Sequence, residues 1–180
     1  ASGEDALVKV RKKVPDLVLM DINMPGLGGM ETIRRLQRMH PELPVIAVTI
    51  LNDGPFPSRL LDAGARGFVT KGDSADELFR AIDEVLKGKP HISGSVAQKL
   101  ALSGFLGEAE ASPLAMLTPR EMQTMLMLAQ GKTNGEIADL ISRSPKTIST
   151  FRKRLFEKLG VTSNVELYQL ALRYKLVDPL

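Results

Sequence analysis

The 180-residue sequence contains no cysteine and no tryptophan. Without cysteine, neither a disulfide framework nor a thiolate metal site is possible, which suits a reducing cytosol. No apolar run approaches the ~20 residues that a membrane-spanning helix needs, and the N-terminus has no signal-peptide pattern. We therefore expect a cytoplasmic protein without membrane contact. The two histidines, His40 and His91, lie far apart beside prolines, a position that favours loops over metal sites.

Charge is distributed unevenly along the chain. From Met116 onward, ten Lys and Arg residues stand against six Asp and Glu, which gives +4, whereas the whole chain carries only +3. A basic C-terminal part behind a near-neutral first part favours a polyanionic partner such as nucleic acid. The length allows one or two domains.

The first part of the chain alternates strand and helix patterns. Short apolar runs favour strands at residues 14–20, 44–50 and 67–70. Mixed segments favour helices at residues 4–13, 31–39, 57–63 and 75–86, the last of them opened by a capping box of Ser74 and Glu77. Because this alternation is typical of parallel strands joined by crossover helices, we expect an α/β domain over residues 1–90.

A linker and a helical tail follow. Residues 91–114 have linker composition, with one short helix possible at residues 93–102. Residues 115–180 show the start and stop signals of four short helices. These signals are two capping boxes, a Ser-Pro pair and a glycine, at Thr118, Thr133, Ser144–Pro145 and Gly160. Four helices with tight turns predict an all-α helix-turn-helix domain.

The third tail helix, at residues 145–159, has two different sides. Its apolar side, which the spacing turns toward the core, holds Ile148, Phe151, Leu155 and Leu159. Its opposite side carries Lys146, Ser149, Thr150 and Lys153. Arg152 and Arg154 flank that side, and Lys158 lies at its far end.

Such a helix suits DNA binding, because cations reach phosphates while hydroxyls and lysine reach base edges. A solvated basic face on an ordinary helix is the simpler alternative. The helix at residues 133–141 and the three-residue turn before residue 145 argue against it. Binding of RNA or protein is another alternative, although the tail has few aromatic side chains for stacking on bases.

Asp21 closes an apolar run and opens a turn rich in proline and glycine. Ligands collect beyond the carboxyl ends of strands in open parallel sheets, so a carboxylate here is placed to act as an acceptor or nucleophile. A solvated aspartate at a strand end is the plain alternative. A phosphoryl-transfer enzyme of the haloacid-dehalogenase type would need a second aspartate where Asn23 stands. We therefore expect no enzyme.

Two sets of motifs resemble known families. The tail resembles the LuxR/FixJ-type helix-turn-helix through LTPRE at 117–121, GKTNGEIA at 131–138 and SPKTI at 144–148. The first part resembles a response-regulator receiver through LMDINMPG at 19–26, VT at 48–49 and FVTK at 68–71. Together they resemble a NarL/FixJ-type two-component response regulator. Residues 53–65 are most similar to the GacA/UvrY-type global activators.

The resemblance implies a bacterial, nucleoid-associated transcription regulator that a sensor histidine kinase phosphorylates, with phosphorylation gating homodimerisation and binding of double-stranded DNA. It implies a phosphoacceptor, two phosphoryl contacts, a switch aromatic and a backbone ligand for Mg²⁺, at Asp21, Thr49, Lys71, Phe68 and Asn23. The implied base-facing residues are Ser149, Thr150 and Lys153. The implied phosphate contacts are Lys146, Thr147, Arg152, Arg154 and Lys158. The implied dimer helix holds Val165, Tyr168, Gln169 and Leu172.

Receivers of this family begin with a strand ending in an acidic pair, then a helix and a second strand. The sequence has no such pair upstream of Asp21, so we expect it to start after those elements, which leaves residues 14–20 as an apolar edge strand. Because Mg²⁺ favours octahedral oxygen coordination, Asp21 and the Asn23 carbonyl alone should hold it too weakly. We expect this chain to be phosphorylated poorly. A form that binds DNA or dimerises without phosphorylation is the alternative.

Overall fold

The computed structural model describes residues 2–24, 26–50, 56–94, 96–98, 100–101, 112–174 and 176–177. The chain divides into two compact units, Ala1–Gly107 and Glu108–Leu180, and the division falls inside the predicted linker. Among the described residues, no helix has the length and apolar content needed to cross a membrane.

The first unit is built around a parallel sheet. In its described part, four strands lie in the order β1-β2-β3-β4, with bounds Val18–Asp21, Val45–Thr49, Gly67–Thr70 and His91–Ile92. The helices around them are α1 (Gly3–Lys12), α2 (Gly29–Met39), α3 (Phe56–Asp62) and α4 (Ala75–Leu86). The predicted α/β architecture is confirmed.

Apolar strand residues form the core of this unit. Ile46 of β2 and Val69 of β3 pack against Ala81 and Val85 of α4, and all four are buried. Strands buried in this way read as nearly continuous apolar runs, which is why short runs of Val, Ile, Leu and Met marked them in the sequence. The core fixes the strands side by side, so their carboxyl ends share one edge of the sheet.

The first strand is shorter than predicted. It was expected over residues 14–20, but β1 begins at Val18 and includes Asp21. The ladder to β2 starts only where the Val18 amide donates to the carbonyl of Pro44. Pro15 has no N–H to contribute, and helix α1 already occupies the chain up to Lys12.

The prediction for His91 was wrong in part. It was expected in a loop, but it lies in β4. Its ring is buried because both ring nitrogens have carboxylate partners on α4. Its Nδ1 lies 2.8 Å from Glu84 and its Nε2 lies 3.0 Å from Glu77. Glu77 is therefore not the reciprocal partner of a capping box. Ser74 still caps α4 by accepting from the Glu77 backbone N–H.

The second unit is helical in its described part. A 3₁₀ turn at Pro113–Met116 precedes α5 (Pro119–Ala129), α6 (Asn134–Leu140), α7 (Pro145–Leu159) and α8 (Asn164–Arg173). Both predicted capping boxes form, at Thr118 and Thr133. Helix α5 packs against α7 and α8, and α6 packs against α7. The predicted helix-turn-helix is confirmed.

Candidate functional site

The strand register brings three predicted residues to one edge of the sheet. Asp21 pairs with Val48 at the end of β1, and Thr49 pairs with Thr70 at the ends of β2 and β3. Lys71 follows directly, and its amide donates to the carbonyl of Thr49. Asp21, Thr49 and Lys71 therefore lie at the same edge of the sheet although they are far apart in sequence.

Both oxygens of the Asp21 carboxylate have partners. Lys71 Nζ lies 2.7 Å from Oδ2, and the backbone N–H of Asn23 donates to Oδ1 over 2.9 Å. These contacts fix the carboxylate's orientation and place a cation beside a side chain that is about one-third exposed (35%). The arrangement is suited to stabilising added negative charge at Asp21.

The loop after Asp21 needs glycine for steric reasons. A Cβ atom at Gly29 would collide with the backbone carbonyl oxygen of Asp21 and with the Cα of Ile22. Gly28 has a φ of 79°, a left-handed conformation that favours glycine. The Gly-rich turn seen in the sequence thus allows α2 to start directly against the end of β1.

Thr49 and Phe68, the predicted phosphoryl contact and switch aromatic, are both fully buried. Thr49 ends β2 beside Asp21's strand, and Phe68 lies within β3 opposite Ala47. The aromatic ring thus sits inside the unit in this structure.

The residues around Asp21 do not fit a magnesium site. In the described part of the chain, no three His, Asp or Glu side chains lie close enough together to hold a metal ion. Asp21 is instead paired with the ammonium of Lys71. Mg²⁺ requires several oxygen ligands in octahedral geometry, and one paired carboxylate is a poor donor set.

Helix α7 exposes the predicted polar side. Ser144 caps it by accepting from the Thr147 N–H, and Gly160 ends it with a φ of 65°. Ile148, Leu155 and Leu159 are buried as predicted, whereas Phe151 is only half-buried. The exposed residues on the other side are Lys146, Ser149, Thr150, Lys153 and Arg154.

Two of the predicted phosphate contacts take part in packing. The guanidinium of Arg152 lies 5.0 Å from the ring centroid of Phe156, an arrangement that keeps the cation close to the helix surface. Thr147 is half-buried, and its hydroxyl lies 2.9 Å from that of the capping Ser144. Both remain on the predicted side of the helix, with less freedom than the fully exposed cations.

Lys158 occupies a different place from the one predicted. Its ammonium lies 2.7 Å from the carboxylate of Glu121 and 3.1 Å from the carbonyl of Met116. Glu121 also accepts from the N–H and hydroxyl of Thr118. Burial alone would raise the pKa of Glu121, but the bonds from Lys158 and Thr118 hold it below its ordinary value. Lys158 therefore ties α7 to α5, and its charge is already paired with a carboxylate.

Comparison with known families matches both units. Residues 1–83 match the response regulator receiver domain, and residues 115–171 match the bacterial regulatory proteins of the luxR family. The response regulator GacA of Pseudomonas aeruginosa is 46% identical over 98% of this chain and 82% of its own length. The response regulator UvrY of Escherichia coli K12 is 40% identical over 98% and 81%. The chain belongs to the LuxR-type two-component response regulators.

Solved structures agree with this membership. Salmonella typhimurium RcsB, a response regulator, is 27% identical to this response regulator, with a TM-score of 0.69 over 96% of this chain and 81% of that one. RcsB from Salmonella enterica serovar Typhimurium bound to the promoter rprA, in the presence of the phosphomimetic BeF₃⁻, is 28% identical. Its TM-score is 0.64 over 94% and 81%.

Sequence reasoning missed three contacts of this response regulator. The Glu121–Lys158 pair joins residues 37 apart, and only the packing of α5 on α7 brings them together. Phe156 was not assigned a role, and Arg152, four residues earlier, was interpreted only as a phosphate contact. Asn134, on the first helix of the helix-turn-helix, reaches Ser149 on α7.

Proposed function

We propose that this response regulator binds double-stranded DNA through the exposed side of α7 and that phosphorylation of Asp21 in the intact receiver controls this binding. The observation that carries the proposal is the placement of α7. It follows α6 through a tight turn, buries its apolar side against α5 and α6, and leaves cations and hydroxyls outward. Helices placed in this way enter the major groove in helix-turn-helix proteins.

The residues on the outward side of α7 divide into two kinds of proposed contact. Ser149, Thr150 and Lys153 lie where base edges are read, and lysine donors suit the acceptors of guanine. Phosphates are contacted from the helix start and from the flanks, by Lys146, Thr147, Arg152 and Arg154. The N-terminal end of α7 adds a positive partial charge to these contacts.

The receiver unit supplies the control. A phosphoryl group transferred from a sensor histidine kinase adds negative charge to Asp21, beside Lys71 and the end of β2. Attraction of Lys71 and Thr49 to that charge shifts the loops that carry them, and Phe68 follows. The added charge is the input of the switch, and homodimerisation is its output.

Helix α8 is the proposed dimer contact. Leu167 and Ala171 face inward and are buried, whereas Val165 is an exposed large apolar residue. The outward side consists of Val165, Tyr168, Gln169 and Leu172. An exposed apolar side chain in such a row is suited to pairing with its copy in a second chain.

Selection of genomic fragments tests the DNA proposal. The chain should enrich discrete duplexes, and its affinity for them should fall steeply with salt because phosphate contacts release counterions. Affinity for no duplex at low salt would contradict it. Peptide mapping tests the switch: any phosphoryl group accepted from a donor should lie on Asp21 and be lost in Asp21→Asn.

Phosphorylation-independent DNA binding is a second candidate for this chain. It is favoured by the lack, within the described ranges, of a group of side chains that could hold a metal ion near Asp21. The two candidates differ in one measurable way. The fraction of the chain that gains a phosphoryl group at Asp21 binds duplex more tightly under the first candidate and with unchanged affinity under the second.

A further inference from the structure

The hydroxyl of Ser149 forms hydrogen bonds within the domain both as a donor and as an acceptor. Ser149 donates to the backbone carbonyl of Pro145 over 3.1 Å, and it accepts from the side-chain nitrogen of Asn134 over 3.2 Å. A serine hydroxyl has one hydrogen and two lone pairs. Its single hydrogen points into the helix, so only a lone pair faces outward.

Asn134 comes from the other helix of the helix-turn-helix. It is the first residue of α6, directly after the capping residue Thr133. Because the hydrogen of Ser149 is committed to Pro145, the hydroxyl oxygen can only accept from Asn134. The amide of Asn134 must therefore turn its NH₂ group, and not its oxygen, toward Ser149.

Thr150 repeats half of this arrangement. Its hydroxyl donates to the carbonyl of Lys146 over 3.1 Å, so it too presents lone pairs outward. Back-bonding of this kind to the residue four earlier is common for Ser and Thr inside helices. Of these two hydroxyls, that of Ser149 has a second partner in the described part of the chain, Asn134, which opposes its rotation.

We infer that Asn134 is a positioning residue that holds Ser149 as a hydrogen-bond acceptor, so that α7 recognises an exocyclic amino group of adenine or cytosine at this position. In the major groove, A N6 and C N4 are the donors, whereas guanine and thymine present acceptors to the same edge. This inference rests on the proposed DNA binding through α7. Lys153 complements it, because an ammonium reads guanine acceptors.

The test uses a duplex selected by the chain, in which each A or C is replaced singly by an analogue that lacks the amino group. At one position the wild-type chain should lose affinity roughly five- to tenfold. Ser149→Ala should bind both duplexes equally. Asn134→Ala should lose most of the discrimination while its affinity for random duplex stays unchanged. A purely structural role of Asn134 would not alter the response to one amino group.

Asn164→Ala is the matched control. Asn164, like Asn134, is the first residue of a helix and directly follows a capping hydroxyl residue, here Ser163. It should discriminate like wild type. Tyrosine fluorescence confirms that each variant is folded. The inference is overturned if Asn134→Ala keeps wild-type discrimination, or if Ser149→Ala still detects the missing amino group. If the wild-type chain binds no duplex in a salt-dependent manner, the proposed function fails together with it.

Discussion

Replacing Lys158 with methionine removes the cation that faces Glu121 and leaves its aliphatic part in place. The Glu121 side chain is 6% exposed and that of Lys158 is 34% exposed, so the carboxylate loses its charged partner in a nearly dry position. Breaking a fully buried pair costs about 3–5 kcal/mol. The two Thr118 donors remain and water reaches the lysine end, so we expect a loss of about 2 kcal/mol.

Urea unfolding followed by tyrosine fluorescence measures this loss in the whole chain. Tryptophan is absent and both tyrosines, Tyr168 and Tyr174, lie in the second unit, so the signal reports that unit alone. With a slope of about 1–2 kcal/mol/M, the midpoint should fall by roughly 1–2 M. Lys153→Met is the matched control, since its 3.9 Å pair with Glu157 is highly exposed and is worth at most about 0.5 kcal/mol.

The reasoning is refuted if Lys158→Met shifts the midpoint no more than Lys153→Met does. The salt dependence of DNA binding gives a second test of whether Lys158 pairs with Glu121 or contacts a DNA phosphate. A phosphate contact at Lys158 would reduce the slope of log affinity against log salt by about 0.9 on its removal. Because the ammonium is held by Glu121 and Met116, we expect that slope to stay unchanged.

Three further predictions concern acid stability and the receiver. Because its folded-state pKa is lowered, Glu121 stabilises the second unit above its unfolded pKa of about 4.3, and this contribution is lost as pH falls through the folded value. Urea midpoints between pH 6 and 3 should therefore fall less in Glu121→Gln than in wild type, and equal falls would contradict this. Lys71→Ala should change the free energy of unfolding by less than about 1 kcal/mol, because the pair with Asp21 is half exposed; a loss above about 2 kcal/mol by circular dichroism would make the pair structural. This 180-residue chain, incubated with a small phosphodonor and Mg²⁺, should gain little phosphoryl by intact mass, and stoichiometric modification of Asp21 would show the expected weak metal site to be wrong.

Local signals predicted the helical unit well. Thr118 and Thr133 form their capping boxes with residues three positions away. Both partners therefore lie within one short stretch of sequence, where the pattern can be recognised. Lys158 illustrates what such signals miss. On a helical wheel it is one more cation at the end of a basic side, and only the packing of α5 on α7 reveals its carboxylate partner.

In the receiver unit, too, some contacts could be predicted from the sequence and others could not. Only the resemblance to a receiver implied that Lys71 lies near Asp21, 50 residues away, and the parallel strands of the structure explain why the two residues are close. His91 was not predicted, since its two glutamate partners lie on α4 and no pattern beside the histidine points to them. Contacts between elements need the packing, and packing can also override a local cap, as it does where His91 takes the carboxylate of Glu77.

Duplex binding by two neighbouring variants tests the central claim, that α7 reads DNA, most directly. Fluorescence anisotropy with a selected duplex and single-base variants is measured across salt concentrations for Lys153→Ala and Arg154→Ala, both of which change exposed residues. Arg154→Ala should weaken all duplexes alike and reduce the salt slope by about 0.9. Lys153→Ala should lower discrimination at one base pair by about 1–3 kcal/mol. Unchanged affinity, slope and discrimination in both variants would contradict the account.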